Sequence, residues 1–599
     1  MSNRKIPKGT IKKIVQHIKG YKLLFLSSLL MGAVSVALSL YIPLLIGDAI
    51  DCITAKGSVD FAKIINILIT AAICIAVAAI AQWVMNIINN KITYSVIRDI
   101  RKEAFDKIER LPLSYIDTHP SGETVSRIIS DVDQFADGLL MGFSQFFTGI
   151  LTIIGTLVFM LSISPTITVL VVILTPISLF VAAFIAKNTH DMFSLRAKTN
   201  AEQTAFIDES VTSSGVISAF SIQDKKQEQF DQINTRLKKY SLRAIFFSSL
   251  TNPCTRFVNS IVYAAVAIIG AMSVIGFGNG LDALFVGITI GNLATLLSYA
   301  NQYTKPFNEI SGVITELQNS ITCIDRVFAL IEEPSEVEDS ESATEISSPS
   351  GYISFDNVSF SYSESQRLIE ALSLDVESGK KVAIVGPTGC GKTTLINLLM
   401  RFYDVKDGAI SVGYVDDNGK SLTSDIRNVT RHSLRSCYGM VLQDTWLKRG
   451  TIKENILIGN PNASDDEIIN AAKASHAHSF IKRLPNGYDT VIGEDGGNLS
   501  QGQKQLLCIT RVMLCMPPML ILDEATSSID TRTEQKIQSA FETVMQGKTS
   551  FIVAHRLSTI RSADIILVMR DGNVIEKGNH NELIAKNGFY AALYSAGQA

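Results

Sequence analysis

The chain has 599 residues, 47% hydrophobic and 19% charged, with a formal net charge of −3. Ordinary soluble chains carry about 25% charged residues, so this length does not divide into four soluble domains of roughly 150 residues. Disordered, collagen-like and strongly basic nucleic-acid-binding chains are also excluded.

The apolar surplus is concentrated. Up to Leu330 the charge balance is +5, and from Ile331 onward it is −8. The N-terminus is basic, with Arg4, Lys5, Lys8, Lys12, Lys13, Lys19 and Lys22. A long apolar stretch follows with no small-residue cleavage site, which reads as a first membrane span and not a signal peptide. A bilayer core needs about 20 apolar residues of helix. Six such spans are predicted: 22–47, 64–88, 139–163, 165–187, 256–277 and 281–303. Short turns at Ser162–Pro165 and Gly276–Gly280 imply antiparallel neighbours.

Residues 91–137 hold 7 Lys and Arg and residues 187–244 hold 9, against Lys56 and Lys63 on the other side. The excess of basic residues on the cytoplasmic side predicts cytoplasmic termini and two long cytoplasmic loops. Ile97–Arg110, Ala201–Ile222 and Lys225–Leu242 have helical apolar spacing and are expected to carry membrane helices into the cytoplasm. Pro112 and Thr118–Gly122 mark a turn between two of them. Gln82, Trp83, Gln145, Asn259, Asn292, Ser298 and Tyr299 interrupt the spans. They line a cavity or pair between helices. No acidic residue lies mid-span, so a proton relay has no carrier. The eight cysteines form no CxxC pair and read as reduced thiols, some of them buried.

The segment 331–350 is acidic and aperiodic, a flexible linker between a membrane domain, 1–330, and a soluble domain, 351–599. In the soluble domain Lys381–Val385 reads as a buried strand. It runs into Gly386, Pro387, Thr388, Gly389, Cys390, Gly391, Lys392, Thr393 and Thr394, and then a helix. This is a phosphate-binding loop: glycines let backbone N–H groups wrap phosphate oxygens, and the helix N-terminus adds positive potential. Lys392 would reach the β- and γ-phosphates, and Thr393 would ligate Mg²⁺. A second strand, Met519–Leu522, ends in Asp523 and Glu524. Asp523 suits Mg²⁺ through water, and Glu524 suits deprotonation of an attacking water.

With these motifs the whole chain resembles an ATP-binding cassette (ABC) exporter half-transporter. The fold class implied is an α-helical membrane domain with six transmembrane helices, fused to an α/β P-loop nucleotide-binding domain. The resemblance implies ATP and Mg²⁺ as cofactors and assigns further residues. Tyr362 would stack on adenine, Gln443 would touch Mg²⁺ and sense the membrane half, and His555 would hold the γ-phosphate. Ser500, Gln501, Gly502 and Gln503 match the signature that binds ATP held by the opposite subunit, and Asp530 matches the loop joining the two sites. Tyr115–Glu123 and Ser210–Val216 match coupling segments, and Glu494 matches an acidic position that contacts them.

Three departures stand out. Cys390 replaces a common Ser, leaving backbone binding intact but introducing a thiol open to modification. Gly413–Ser424 is about nine residues longer than usual in the family and reads as a surface hairpin or loop. Gln501 replaces a second Gly in the signature. That asymmetry favours a heterodimer with a second half-transporter, this chain carrying the intact catalytic Glu. A homodimeric lipid or peptide exporter, or an ATP-gated channel, is the alternative. The expected activity is ATP-driven efflux of hydrophobic or amphipathic drugs or lipids across the plasma membrane, with no nucleic-acid partner. The six spans exclude a soluble cassette ATPase.

Overall fold

The computed structural model describes residues 8–54, 59–275, 288–363, 368–416, 418–442, 445–493, 496–497, 499–523, 529–554 and 556–598. They form two compact units. One comprises residues 1–110 and 119–333; the other comprises 111–118 and 334–599.

The first unit is helical. Its long helices are Lys22–Thr54, Phe61–Ile108, Pro165–Thr212, Gln223–Ser249, Thr251–Ile275 and Ile290–Glu332. Among the described residues, four helical stretches are long and apolar enough to cross a membrane: Gly9–Ile53, Phe61–Ile108, Ser121–Ile163 and Gln223–Ile275. Only 17% of the most apolar window in Phe61–Ile108 is buried, so its apolar side chains face outward, as lipid contact requires. The expected span 165–187 lies within Pro165–Thr212. The expected span 281–303 and the turn Gly276–Gly280 fall partly or wholly on residues 276–287, outside the described residues.

Phe61–Ile108 and Pro165–Thr212 have 48 residues each. At 1.5 Å per residue each is about 70 Å long, more than twice a hydrocarbon core. Membrane helices therefore extend far into water. The turn after Ile108 falls where the prolines require it: Leu113–Thr118 is one short helix, and extended Pro120 caps the next, Ser121–Ser126. At the other tight turn, Ser164 caps the helix that Pro165 begins, its hydroxyl accepting from Ile167 N.

Two apolar clusters hold this unit together. One joins Ile92, Ile100, Phe135 and Val327; the other joins Leu40, Met160, Val266, Leu296 and Tyr299. The polar residues in the spans separate into two kinds. The Tyr299 hydroxyl is fully buried and donates to Leu40 O at 2.5 Å, and Gln82 accepts from Ser35 at 3.3 Å. Both tie helices together. Asn259 does not: its Oδ1 is buried with no hydrogen-bond partner among the described residues.

The second unit contains two main sheets. Strands β1 (Pro349–Phe360), β2 (Ile369–Val376), β4 (Asp407–Val415) and β5 (Ser421–Asp425) form an antiparallel sheet in the order β2-β1-β4-β5. The extra stretch 413–424 is the β4–β5 hairpin, with Val415 opposite Ser421. The short β7 (Gly450–Thr451) and β8 (Val491–Ile492) pair separately. The central sheet has the strands β3 (Lys381–Val385), β6 (Tyr438–Val441), β9 (Met519–Asp523), β10 (Thr549–Val553), β11 (Ile565–Arg570) and β12 (Asn573–Gly578), in the order β12-β11-β3-β10-β9-β6. All but β12 pair in parallel, and their near-continuous apolar sequences are what burial on both faces demands.

The acidic segment after Glu332 is not a free tether. Asp339 accepts from the Arg431 guanidinium and backbone N, both at 2.8 Å, and Glu336 accepts from Arg435 at 2.7 Å. Thr344 exchanges backbone hydrogen bonds with Asn428 and Thr430. Arg401 and Arg431 are almost fully buried, so their charges require these carboxylates.

Candidate functional site

The site is built at one edge of the central sheet. Val553 of β10 lies opposite Ile384 of β3 and opposite Asp523 of β9. The loop leaving β3, the end of β10 and Asp523 therefore share the carboxyl edge. With strands about 4.8 Å apart, they span about 10 Å. Ligands bind at this edge in open α/β sheets, where helix N-termini converge.

The loop geometry follows from its glycines. Gly389 and Gly391 have φ of +81° and +97°, in the left-handed region that side chains disfavour. A Cβ at Gly386 would overlap the Met569 carbonyl and crowd the Cys390 sulfur. Gly391 caps the helix Lys392–Leu399, whose first N–H groups point back into the loop. Lys392 is nearly buried, and its ammonium donates to Gly386 O at 2.8 Å and Pro387 O at 3.1 Å, over the loop. The Thr393 side chain is exposed. Cys390 is only 3% exposed, beneath the loop, so the thiol expected to be open to modification is shielded by the loop's own backbone.

Tyr362 stands beside this helix with its hydroxyl donating to Thr394 Oγ1 at 3.2 Å. Its ring is held edge-on by Phe360 and Tyr403, centroids 5.0 Å away in each case. It remains 52% exposed, leaving ring surface open for stacking. Tyr403 was not singled out by the sequence, although Phe402-Tyr403 directly follows the phosphate-loop helix. Its hydroxyl donates to Asp117 Oδ2 at 2.7 Å. Asp117 lies in Leu113–Thr118, which packs within this unit and contains the start of the expected coupling segment Tyr115–Glu123.

The Ser500–Gln503 stretch is a helix start. Ser500 caps Gln501–Cys515 in a capping box, its Oγ accepting from Gln503 N while Gln503 Oε1 accepts from Ser500 N at 2.9 Å. Gly502 packs so tightly on the next helix that a Cβ would stand 2.5 Å from the Thr533 methyl. The Gln501 side chain is exposed and donates to Thr445 Oγ1 at 3.4 Å. In the same helix the half-buried Arg511 clamps Asn455 O and Trp446 O, both at 2.7 Å. Asp530 caps Thr531–Met545 by accepting from Thr533 N at 2.9 Å. Hydrogen bonding from the Thr533 backbone holds its carboxyl below the usual carboxylate range.

The structure thus brings 386–394, Tyr362 and Asp523 to one sheet edge, and places Ser500–Gln503 and Asp530 at two neighbouring helix starts. Gln443, Glu494, Glu524 and His555 lie outside the described residues. The flanking Asp523 and Ala554 end β9 and follow β10 at the same edge.

Comparison with known proteins agrees with this architecture. Residues 24–307 match the ABC transporter transmembrane region, and residues 369–527 match the ABC transporter domain. The chain is 40% identical over 539 residues to a protein of Mycobacterium bovis named "Fatty acid ABC transporter ATP-binding/permease protein", covering 90% of this chain and 82% of that one. It is 35% identical over 600 residues to the Bacillus subtilis "Putative multidrug export ATP-binding/permease protein YgaD", covering 98% and 99%. Among solved structures, a bacterial Atm1-family ABC exporter with ATP bound matches with a TM-score of 0.75 and 27% identity, covering 98% of this chain and 99% of that one. The chain belongs to the ABC transporter family, as an exporter in which a helical membrane domain is fused to the ATP-hydrolysing domain that drives transport.

Proposed function

We propose that this chain is one subunit of a heterodimeric exporter that uses ATP to move hydrophobic or amphipathic compounds, drugs or lipids, out across the plasma membrane. In this reading both termini and the nucleotide-binding domain are cytoplasmic. The convergence of the 386–391 loop, Tyr362 and Asp523 on one sheet edge carries the nucleotide part. The relatives named for multidrug export and for fatty acids support the substrate class.

ATP is the substrate of the hydrolysis. Its adenine stacks on Tyr362. Loop N–H groups and Lys392 hold the phosphates. Thr393 and Asp523 are hard oxygen donors at the same sheet edge and fit Mg²⁺, with Gln443 completing the set. Held by these residues, Mg²⁺ would supply neutralisation of the triphosphate's negative charge. Glu524 takes a proton from the attacking water, and His555 hydrogen-bonds the γ-phosphate and orients that water.

Ser500 and its neighbours face the ATP held by the other subunit, and Asp530 joins the two sites. ATP binds the closed pair more tightly than the open pair, and that difference turns the membrane cavity outward. Hydrolysis resets it. Gln501 places a side chain where backbone N–H groups would approach phosphate, so the partner's ATP is held differently from this chain's own.

The test is to purify this chain alone and with a co-expressed second half-transporter, in vesicles, and measure ATP-dependent uptake of a hydrophobic dye. The pair should transport and the single chain should not. Vigorous substrate-stimulated ATPase from a clean homodimer would overturn the heterodimer. Ion flux without vectorial uptake would overturn export.

A further inference from the structure

The second unit holds an open cavity of about 540 Å³ at the amino edge of the central sheet, the end away from the phosphate loop. Ala471, Met513 and Val544 form a buried apolar floor, and it is bordered by exposed Met516 and half-buried Lys548. An apolar lining of this volume with a few polar groups is what small-molecule sites have.

The elements around the cavity lead to the nucleotide edge. Met513 lies in the last turn of Gln501–Cys515, the helix that Ser500 starts. Val544 lies in the last turn of Thr531–Met545, the helix that Asp530 starts. Each helix has 15 residues, about 22 Å, and the two pack closely where Gly502 meets Thr533. Lys548 directly precedes β10, whose far end lies opposite Asp523. A ligand in the cavity therefore touches the far ends of both helices without reaching the phosphates.

Met516 follows the first helix with φ of +50°, a left-handed position where Gly or Asn is the usual choice. Its thioether accepts from the Lys548 ammonium at 3.8 Å. That sulfur is a weak acceptor, and it is the ammonium's only polar partner among the described residues. Burial holds the Lys548 pKa below the ordinary lysine range. The other charge in the lining is Glu467, which is exposed to water. Its Oε2 is already engaged, accepting from Ser464 N at 2.7 Å and from Ser464 Oγ at 2.8 Å. The uncommitted group is thus an ammonium donor beside two thioethers. An anionic acceptor satisfies the first, and a flat, polarisable ring suits the second.

We infer that this cavity is an effector site for a ring-bearing monocarboxylate, which pairs with Lys548 and lays its ring against Met513 and Met516. Bound there, the ligand braces the ends of the two helices against each other and slows ATP turnover without competing with ATP. The inference depends neither on the transported compound nor on the partner subunit.

The test uses the full-length protein in phosphatidylcholine nanodiscs, with isotope-labelled methionine methyls and naphthoate as probe. The Met513 and Met516 methyl signals, assigned with Met513→Leu and Met516→Leu, report on this cavity. Naphthamide (ring without charge) and acetate (charge without ring) are the comparison arms. Naphthoate should move both signals and bind at least about tenfold more tightly than naphthamide; acetate should move neither. Lys548→Gln should abolish the preference, and Lys548→Arg should keep it. Saturating naphthoate should lower turnover in the wild type and in Lys548→Arg but not in Lys548→Gln, with the KM for ATP unchanged. Basal ATPase without naphthoate verifies that each variant is folded. Unmoved methyl signals, equal binding of naphthamide, or a preference that survives in folded Lys548→Gln overturns the site. Weaker naphthoate binding in Glu467→Gln, which keeps the helix cap, would do the same. Moved signals with unchanged turnover, or competition with ATP, would overturn the effector role.

Discussion

Tyr403 joins Tyr362 to Asp117 in the expected coupling segment: its ring packs on Tyr362 and its hydroxyl donates to Asp117 at 2.7 Å. Burial first, and then the hydrogen bond to Asp117, raise the phenol well above its usual range, so it stays a donor at every physiological pH. A contact to a carboxylate is worth about 1.5–3 kcal/mol. Tyr403→Phe keeps the ring and removes this bond. Basal ATPase should stay within about twofold of wild type, and substrate stimulation should fall about fivefold or more. Unchanged stimulation would show that the bond carries no coupling.

Glu524→Gln keeps the shape of the side chain and removes the proposed base. General-base catalysis contributes about 10²–10⁴-fold, so turnover should drop by at least about 100-fold while ATP stays bound. Single-turnover hydrolysis with trapped nucleotide measures both. Retained turnover would reassign the base.

Gly502 sits where the Gln501–Cys515 helix meets Thr533 and Ile529. Gly502→Ala puts a methyl 2.5 Å from the Thr533 side chain. Overpacking of this kind costs about 1–3 kcal/mol and would push Ser500 and Gln501 off their capping geometry. Thermal unfolding should shift down, and the partner's ATP site should lose affinity more than this chain's own. Equal loss at both sites would mean that the helix start is not tied to one of them.

Parts of this architecture were legible in the sequence for a physical reason. The phosphate loop and the strand that ends in Asp523 are local: in the first, strand, turn and helix follow one another without interruption from Lys381 to Leu399. Apolar spans are equally local, because length and composition alone select them. The docking of Asp339 is not, since Arg431 lies 92 residues on and no pattern near Asp339 names it. Asp117 and Tyr403 are 286 residues apart, and only the fold brings them together. Tyr299 and Asn259 looked alike as polar breaks in apolar runs. The neighbouring helix decides which one is paired, and sequence does not orient helices.

His478 provides a pH dependence. Its Nδ1 lies 2.8 Å from the Tyr488 hydroxyl, and burial first, then Lys482 and Lys473, depress its pKa below the ordinary 6.5. The unfolded chain therefore binds a proton more readily than the folded one. By linkage, stability is fully present above pH 6.5, falls as pH drops from there toward the lowered folded value, and then levels off. His478→Phe should flatten that slope in unfolding curves taken between pH 7.5 and about 5. An unchanged slope would place the titration elsewhere.

The ion pairs of the linker give the last prediction. Arg431 is 9% exposed and Asp339 26%, so solvent cannot replace the carboxylate when it is removed. Asp339→Asn keeps the volume and one acceptor oxygen but leaves the guanidinium with Glu336 and Asp404, at 3.3 and 3.5 Å. The remaining partners soften the loss, which should be about 1–3 kcal/mol. Removing Asp339 should also loosen the segment between Pro334 and Thr344, which then depends on Glu336 against Arg435 and on the Val337 carbonyl against Arg431. Limited proteolysis should then cut there in the variant and not in the wild type, with ATP binding retained. A variant as resistant as the wild type would mean that Glu336, Val337 and the Thr344 pairing with Asn428 and Thr430 suffice to hold the segment.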